Sequence, residues 1–154
     1  KEFNTEEKFK LHLIGKVSKD YLKKIEEINS NSKNKIIIHY GLLDFEDYQK
    51  ILSKCNIGLG SLAMYRANVK EGSTLKVREM LGMGLPVYSA HIDTAIPKNF
   101  PFYLNGKIKI EEILKFARDL APCSRNEIRN KSLQYIDKRI YAKKLSKFLI
   151  NLSK

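Results

Sequence analysis

The chain has 154 residues, of which 43% are hydrophobic and 30% are charged, a composition typical of one globular domain and not of a disordered chain. Lys and Arg outnumber Asp and Glu by 29 to 17, and the net charge of +12 favours an anionic partner such as nucleic acid, acidic lipid or a phosphorylated small molecule. No apolar run approaches the ~20 residues of a membrane span. The isolated Cys55 and Cys123 argue against a disulfide framework or zinc site and indicate a reducing, cytoplasmic compartment.

The first half of the chain alternates predicted strands with predicted helices. In the first predicted strand, apolar and polar residues alternate and the strand ends at Gly15. The second predicted strand is a run rich in β-branched residues that ends at Gly41. Asp44 is placed to cap the second helix, because its side chain can accept a hydrogen bond from a first-turn N–H group. In chain order we predict a strand at 9–15, a helix at 21–28, a strand at 35–41, a helix at 45–52 and a strand at 56–61.

A short helix and a strand follow a predicted loop at 61–70. Gly72 and Ser73 break the chain, and Ser73 or Thr74 can cap a helix by accepting bonds from its first N–H groups. Two glycines end this helix, and residues 85–89 predict a short buried strand. The apolar residues that indicate a helix lying on a sheet are Leu75, Val77, Met80, Leu81 and Met83.

The rest of the chain is predicted to be mainly helical. Residues 91–99 show no regular period, and Pro101 restricts a weak fifth strand at 100–104 to a sheet edge. Pro122 breaks the chain after a helix at 111–120. Two basic helices then run from Ser124 to about Lys138 and onward to Ile150.

Strands alternating with helices predict a doubly wound, Rossmann-like parallel sheet with helices on both faces. In this α/β architecture, ligands bind beyond the carboxyl ends of the strands. The turns after Gly15, Gly41 and Gly60 and the loop before Glu71 all follow predicted strands. We therefore expect these turns to converge on one rim of the sheet, with His91 on the same rim after the fourth strand.

The segment from Glu71 to Glu79 combines the groups that a sugar nucleotide requires. A helix start offers unpaired amides and a partial positive charge, which together favour anions. Lys76 lies in the first turn, where it opposes the helix dipole, and a bound phosphate would explain that placement. Glu71 precedes the helix, and Glu79 shares a face with Leu75, so both acids can accept bonds from hydroxyls. The alternative is a capped amphipathic helix with two solvated acids.

The order of these segments resembles a known family. Leu-His-Leu-Ile-Gly is followed by Ile-Ile-Ile-His-Tyr-Gly-Leu-Leu, by Leu-Ser-Lys-Cys-Asn-Ile-Gly-Leu-Gly-Ser, and then by Glu-x7-Glu with Met-Gly-Leu-Pro-Val. This arrangement is similar to the C-terminal, donor-binding half of GT-B glycosyltransferases of the retaining family 4 group. The likeness spans roughly 9–120. It implies transfer of a sugar, of hexosyl type, from a nucleotide-diphosphate donor with retained configuration.

The resemblance also implies residue roles. Glu71 would contact hydroxyls of the transferred sugar, amides near Thr74 would bind the diphosphate, and Glu79 would accept bonds from the ribose. Gly15 would let the backbone approach the ligand, with Lys16 as a phosphate contact. The turn at 41–43 would border the base. The implied catalytic residue is Glu71, and the substrate-binding residues are Gly15, Lys16, Gly41, Leu42, Leu43, Gly72, Ser73, Thr74, Leu75, Lys76 and Glu79.

Departures from the family pattern shape the expected domain organisation. Such enzymes usually hold the diphosphate with an Arg and a Lys at positions that would precede Lys1. We therefore expect 1–8 to be a linker from a missing acceptor-binding half, 9–122 to be the nucleotide-sugar-binding domain and 123–154 to be its closing helices, with the fragment alone inactive. No Asp-x-Asp pair occurs, and we expect no metal or other cofactor. Ser73-Thr-Leu-Lys replaces the commoner Gly-hydrophobic sequence, which leaves sugar and base open.

Other functions fit the sequence less well. The net charge alone suggests a nucleic-acid-binding module, but no aromatic RNA-binding strand, zinc spacing or clear recognition helix supports one, and no nucleic-acid partner is expected. The turn after Gly15 lacks G-x-G-x-x-G, which argues against a dinucleotide-dependent oxidoreductase. A glycosidase carboxylate pair is disfavoured because Glu79 lies in the helix body. A sugar-nucleotide epimerase on the same fold is the nearest alternative.

A few polar side chains are assigned from their positions alone. We expect His12 and His39, within strands, to be structural, and Arg78 to be surface charge. Lys76 either contacts phosphate or extends to solvent. The basic tail is either a solvated face or a surface that docks on the cytoplasmic side of an anionic membrane.

Overall fold

A computed structural model describes residues 9–32 and 36–152. The predicted linker 1–8, the start of the second predicted strand and the last two residues lie outside these ranges. The chain is an α/β protein that divides after Ser53 into two compact units.

The first unit contains two parallel strands and two helices. Strand β1 (Leu11–Leu13) pairs with β2 (Ile37–His39), with Leu11 opposite Ile37. Helix α1 (Lys19–Ser30) begins at Ser18, and α2 (Phe45–Leu52) begins at the predicted cap Asp44, which accepts a bond from the Asp47 amide at 2.8 Å. The helix at 45–52 is therefore confirmed with its cap.

The second unit contains three parallel strands in the order β3-β4-β5. Strand β5 lies at the end of this sheet, as expected for the segment that Pro101 restricts to an edge. The predicted loop at 61–70 includes a short 3₁₀ turn (Met64–Ala67). The remaining elements are β3 (Gly58–Leu59), α3 (Leu75–Gly82), β4 (Val87–Ser89), β5 (Tyr103–Asn105), α4 (Ile110–Asp119), α5 (Arg125–Ile136) and α6 (Lys138–Leu152).

The core of the second unit forms where α3 packs against α5 and the strands β3 and β4. Every residue of β4 is buried, as are Val77 and Leu81 of α3. A side chain at Gly58 would collide with the sulfur atom of Met80, so this glycine permits close packing of the helix on the strand. The packing fixes the orientation of α3 and, with it, the position of the helix start.

Two sequence-based expectations about packing differ from the structure. The strands form a two-stranded and a three-stranded parallel sheet in place of the single sheet that was predicted. The observed strands have only two or three residues each, and the two small parallel sheets are compatible with a Rossmann-like fold. Leu75 was expected to lie on the sheet, but it is 66% exposed. This prediction was wrong because Leu75 occupies the first helical position, where the chain has only begun to approach the core.

Candidate functional site

The backbone before α3 is fixed beside the end of β4. Glu71 forms an isolated parallel bridge with Ile92, the Gly72 amide donates to the Ile92 carbonyl at 2.9 Å, and the Ile92 amide donates to the Lys70 carbonyl at 3.0 Å. Because Ile92 follows β4 closely, these bonds hold Glu71 near the carboxyl end of that strand. This is the edge of a parallel sheet at which ligands commonly bind.

Thr74 is the N-cap of α3, one of the two residues predicted for that position. Its side chain does not cap the helix, contrary to expectation. The Thr74 hydroxyl oxygen is instead buried with no hydrogen-bond partner among the described residues. Helix geometry leaves the first-turn N–H groups of residues 75–77 without an intrahelical acceptor. The first-turn N–H groups of α3 therefore receive no hydrogen-bond acceptor from the Thr74 side chain.

The surface around this helix start is open. Glu71 and Ser73 are exposed, as are Lys76 and Glu79, and Thr74 and Gly72 are partly exposed. Leu75 and Glu79 lie one turn apart on an exposed face, in agreement with the spacing argument. The two carboxylates therefore flank an accessible helix N-terminus.

Lys76 is the cation of the first turn. Its side chain reaches the surface, but surrounding protein desolvates the ammonium group enough to lower its pKa below the ordinary value. Its position opposes the helix dipole, which also disfavours the charged form. A bound anion would relieve both effects.

Arg78 does not lie on the surface as expected; that prediction was wrong. Its guanidinium donates to both carboxylate oxygens of Asp93 at 3.0 and 3.1 Å and to the Thr74 carbonyl at 3.0 Å. The Asp93 side chain is completely buried, and the Arg78 side chain is 15% exposed. The ion pair thus ties the segment after β4 to the first turn of α3. The available signal was Asp93 itself, a lone acid soon after a buried strand.

His91 is a second buried polar residue beside the site. Ser89 Oγ donates to the Ser61 carbonyl at 3.2 Å, so we infer that it accepts from His91 Nδ1–H at 2.7 Å. The other ring nitrogen, Nε2, is buried with no partner in the described structure. The neighbouring ring atom Cδ2 lies 4.0 Å from the position that a Cβ on Gly72 would occupy. The sequence placed His91 on the rim but gave it no role.

The first unit holds the other predicted substrate-binding residues. Gly15 and Gly41 have φ values of +118° and +70°, a region that favours glycine, and the Gly15 amide donates to the Gly41 carbonyl at 2.6 Å. His39 Nε2 donates to the Gly15 carbonyl at 2.8 Å, which confirms a structural role for this histidine. Lys16 and Leu42 are exposed, and Leu43 is half-buried.

The structure therefore brings the predicted residues together in two groups. Gly15 and Gly41 are in contact within the first unit, and residues 71–79 form one continuous segment of the second. The expected convergence of both groups on one rim joins residues of different units and stays a prediction. His12, also predicted to be structural, stacks on Tyr40 with ring centroids 5.7 Å apart and bonds to its hydroxyl at 2.8 Å.

Within residues 9–32 and 36–152, no three His, Cys, Asp or Glu side chains are clustered to hold a metal ion. None of the helices in these ranges combines the length and the apolarity needed to cross a bilayer. Comparisons with family models, characterised proteins and solved structures gave no match.

Proposed function

We propose that this chain is the donor-binding domain of a retaining, GT-B type glycosyltransferase that uses a nucleotide-diphosphate sugar. The observation that carries the proposal is the open start of α3: an N-cap whose side chain leaves the amides uncapped, between two exposed carboxylates. The parallel α/β architecture is compatible with a Rossmann-like half of such an enzyme. In this proposal the donor-binding domain works together with an acceptor-binding domain.

In this function the helix start neutralises the diphosphate. The amides of residues 75–77 donate to phosphate oxygens, and Lys76 supplies a positive charge as the sugar leaves. Such preorganised donors stabilise developing charge, because they need no reorientation during the reaction.

The carboxylates of Glu71 and Glu79 recognise the sugar and the ribose of the donor. Glu71, held by its bridge to Ile92, accepts bonds from hydroxyls of the transferred sugar, and Glu79 accepts bonds from the ribose. Carboxylate acceptors suit vicinal hydroxyls because each oxygen can accept more than one bond.

The proposal predicts that UDP, GDP or ADP binds at the start of α3. Titration of the ¹⁵N-labelled chain with each nucleotide should produce the largest shift changes in residues 74–77 for the preferred base. Glu79→Ala should weaken that binding by roughly 10- to 100-fold, the value of a hydrogen bond to a charged group. Glu111→Ala, which removes an exposed acid from the first turn of α4, serves as the matched control and should leave binding unchanged.

Other outcomes of the same titration separate the alternatives. Shifts confined to other regions, or equal losses in both variants, would refute a donor site at α3. Binding of a random oligonucleotide with no response to any diphosphate would favour a nucleic-acid-binding module. Conversion of an added nucleotide sugar to its epimer, followed by ¹H NMR, would favour the epimerase alternative.

A further inference from the structure

Helix α6 (Lys138–Leu152) presents apolar side chains to solvent. None of its residues is buried. Leu145, Phe148, Leu149 and Leu152 are between 54% and 68% exposed, and Tyr141 is 41% exposed. Contiguous exposed apolar surface of this kind marks a site of interaction, whereas isolated exposed residues do not.

Five of the six large exposed apolar residues share one face of the helix, and the sixth, Ile150, which is 53% exposed, lies on the other face. Positions 141, 145, 148, 149 and 152 recur at intervals of three or four residues, which places them in a single stripe along the axis. The helix has 15 residues and is about 22 Å long, too short to span a bilayer but long enough to lie along one.

All the charged residues of this helix are basic. The sequence of α6 contains five basic residues and no acidic residue. Arg139 pairs with Asp137 at 2.6 Å, and the Lys144 ammonium lies 5.6 Å from the Tyr141 ring centroid at the border of the apolar stripe. Lys143, Lys144 and Lys147 lie near one another on this helix, together with Ile140 and Ser146. Anionic groups can pair with these ammonium groups.

We propose that α6 docks in the plane of an anionic lipid surface. An apolar stripe opposite a face that carries basic and no acidic residues is the pattern of interfacial helices, in which the apolar side enters the acyl boundary and lysines meet acidic headgroups. Nucleic acid would use the charges and leave the stripe in water. Pairing with a second copy of the chain would bring two cationic helices together, and each chain carries a net charge of +12, so the two copies would repel each other. The inference is independent of the proposed donor site.

Vesicle co-sedimentation of the full chain tests this proposal. At low salt the chain should pellet with phosphatidylcholine vesicles that contain about 30% phosphatidylglycerol, and it should not pellet with phosphatidylcholine alone. The triple variant Lys143→Gln, Lys144→Gln, Lys147→Gln should bind roughly 100-fold more weakly, since each lysine near such a surface contributes about a fivefold factor. The double variant Leu145→Ser, Phe148→Ser should also lose binding, because it removes the centre of the stripe.

The matched control has the same net charge as the triple lysine variant of α6, but its substitutions lie in another helix. Lys19→Gln, Lys23→Gln, Lys24→Gln removes three exposed lysines from α1 and should retain vesicle binding. Circular dichroism should show unchanged helicity in all variants, since every replaced side chain is exposed. No pelleting with acidic vesicles, an equal loss in the control, or concentration-dependent dimers that the stripe variant abolishes would each overturn the proposal.

Discussion

At the scale of single residues, Arg78 and Asp93 form a largely buried ion pair. Its carboxylate is completely buried, so removal of the guanidinium leaves a charge with no ionic partner. We predict that Arg78→Ala lowers the free energy of unfolding by about 3–5 kcal/mol, measured by urea denaturation. Lys131→Ala, which breaks an exposed pair with Glu127, should change it by less than about 1 kcal/mol. Similar losses in both variants would contradict the buried-pair argument.

Lys76 makes the donor-site proposal testable by pH. Desolvation lowers the pKa of its ammonium group in the free protein, whereas a diphosphate beside it would favour the charged form and raise that pKa. UDP binding should then take up a proton between the two values, and affinity should fall as pH rises through the pKa of the free state. An NMR titration of the Lys76 side chain with and without UDP measures both pKa values. The pH dependence should disappear in Lys76→Gln, and an unchanged pKa in the bound state would contradict the contact.

At the scale of elements, the turn between α3 and β4 depends on one glycine. Gly84 has φ of +73°, and a Cβ there would collide with the backbone carbonyl of Arg125 in α5. Arg125 in turn donates to the Met83 carbonyl at 3.3 Å and to the Cys55 carbonyl at 2.5 Å. The start of α5 is thus fitted against the end of α3.

We predict that Gly84→Ala destabilises the protein by roughly 2–4 kcal/mol, the sum of an unfavourable φ and overpacking. Gly82→Ala is the control: a Cβ there meets only Ile136 Cδ1 at the ordinary distance of 3.6 Å, and alanine favours the helical conformation. This variant should be neutral or more stable by up to about 1 kcal/mol. Thermal unfolding of both variants checks the difference, and equal effects would contradict the role assigned to Gly84.

Element prediction succeeded where local sequence supplies the physical signal. Helix α2 and its cap Asp44 were predicted correctly, because the apolar spacing and the capping aspartate act within a few residues. The same local reasoning placed Thr74 at the start of α3 correctly. It failed to predict that the Thr74 hydroxyl does not cap the helix and that Leu75 is exposed. Those two outcomes depend on what lies across from the helix, which local spacing does not encode.

For the whole molecule, composition gives the net charge of +12 but not where the basic residues lie in the fold. Part of it is concentrated in α6, where basic residues oppose an exposed apolar stripe, and Lys76 is one cation at the proposed donor site. The two regions serve separate proposals with separate tests. Vesicle binding without nucleotide binding, or the reverse, would therefore support one proposal and leave the other refuted.

The sequence alone determined the α/β class, the order of the elements and a helix start between Glu71 and Glu79, because periodicity, caps and glycines act over short separations. Tertiary structure alone decided that the strands form two small sheets, that Arg78 pairs with buried Asp93, that the Thr74 side chain leaves this helix uncapped, and that His91 Nε2 lacks a partner among the described residues. Each of these outcomes joins segments that are distant in sequence or sets the burial of a polar group. Burial and long-range pairing follow from the packing of the whole unit, and no local pattern of residue types specifies them.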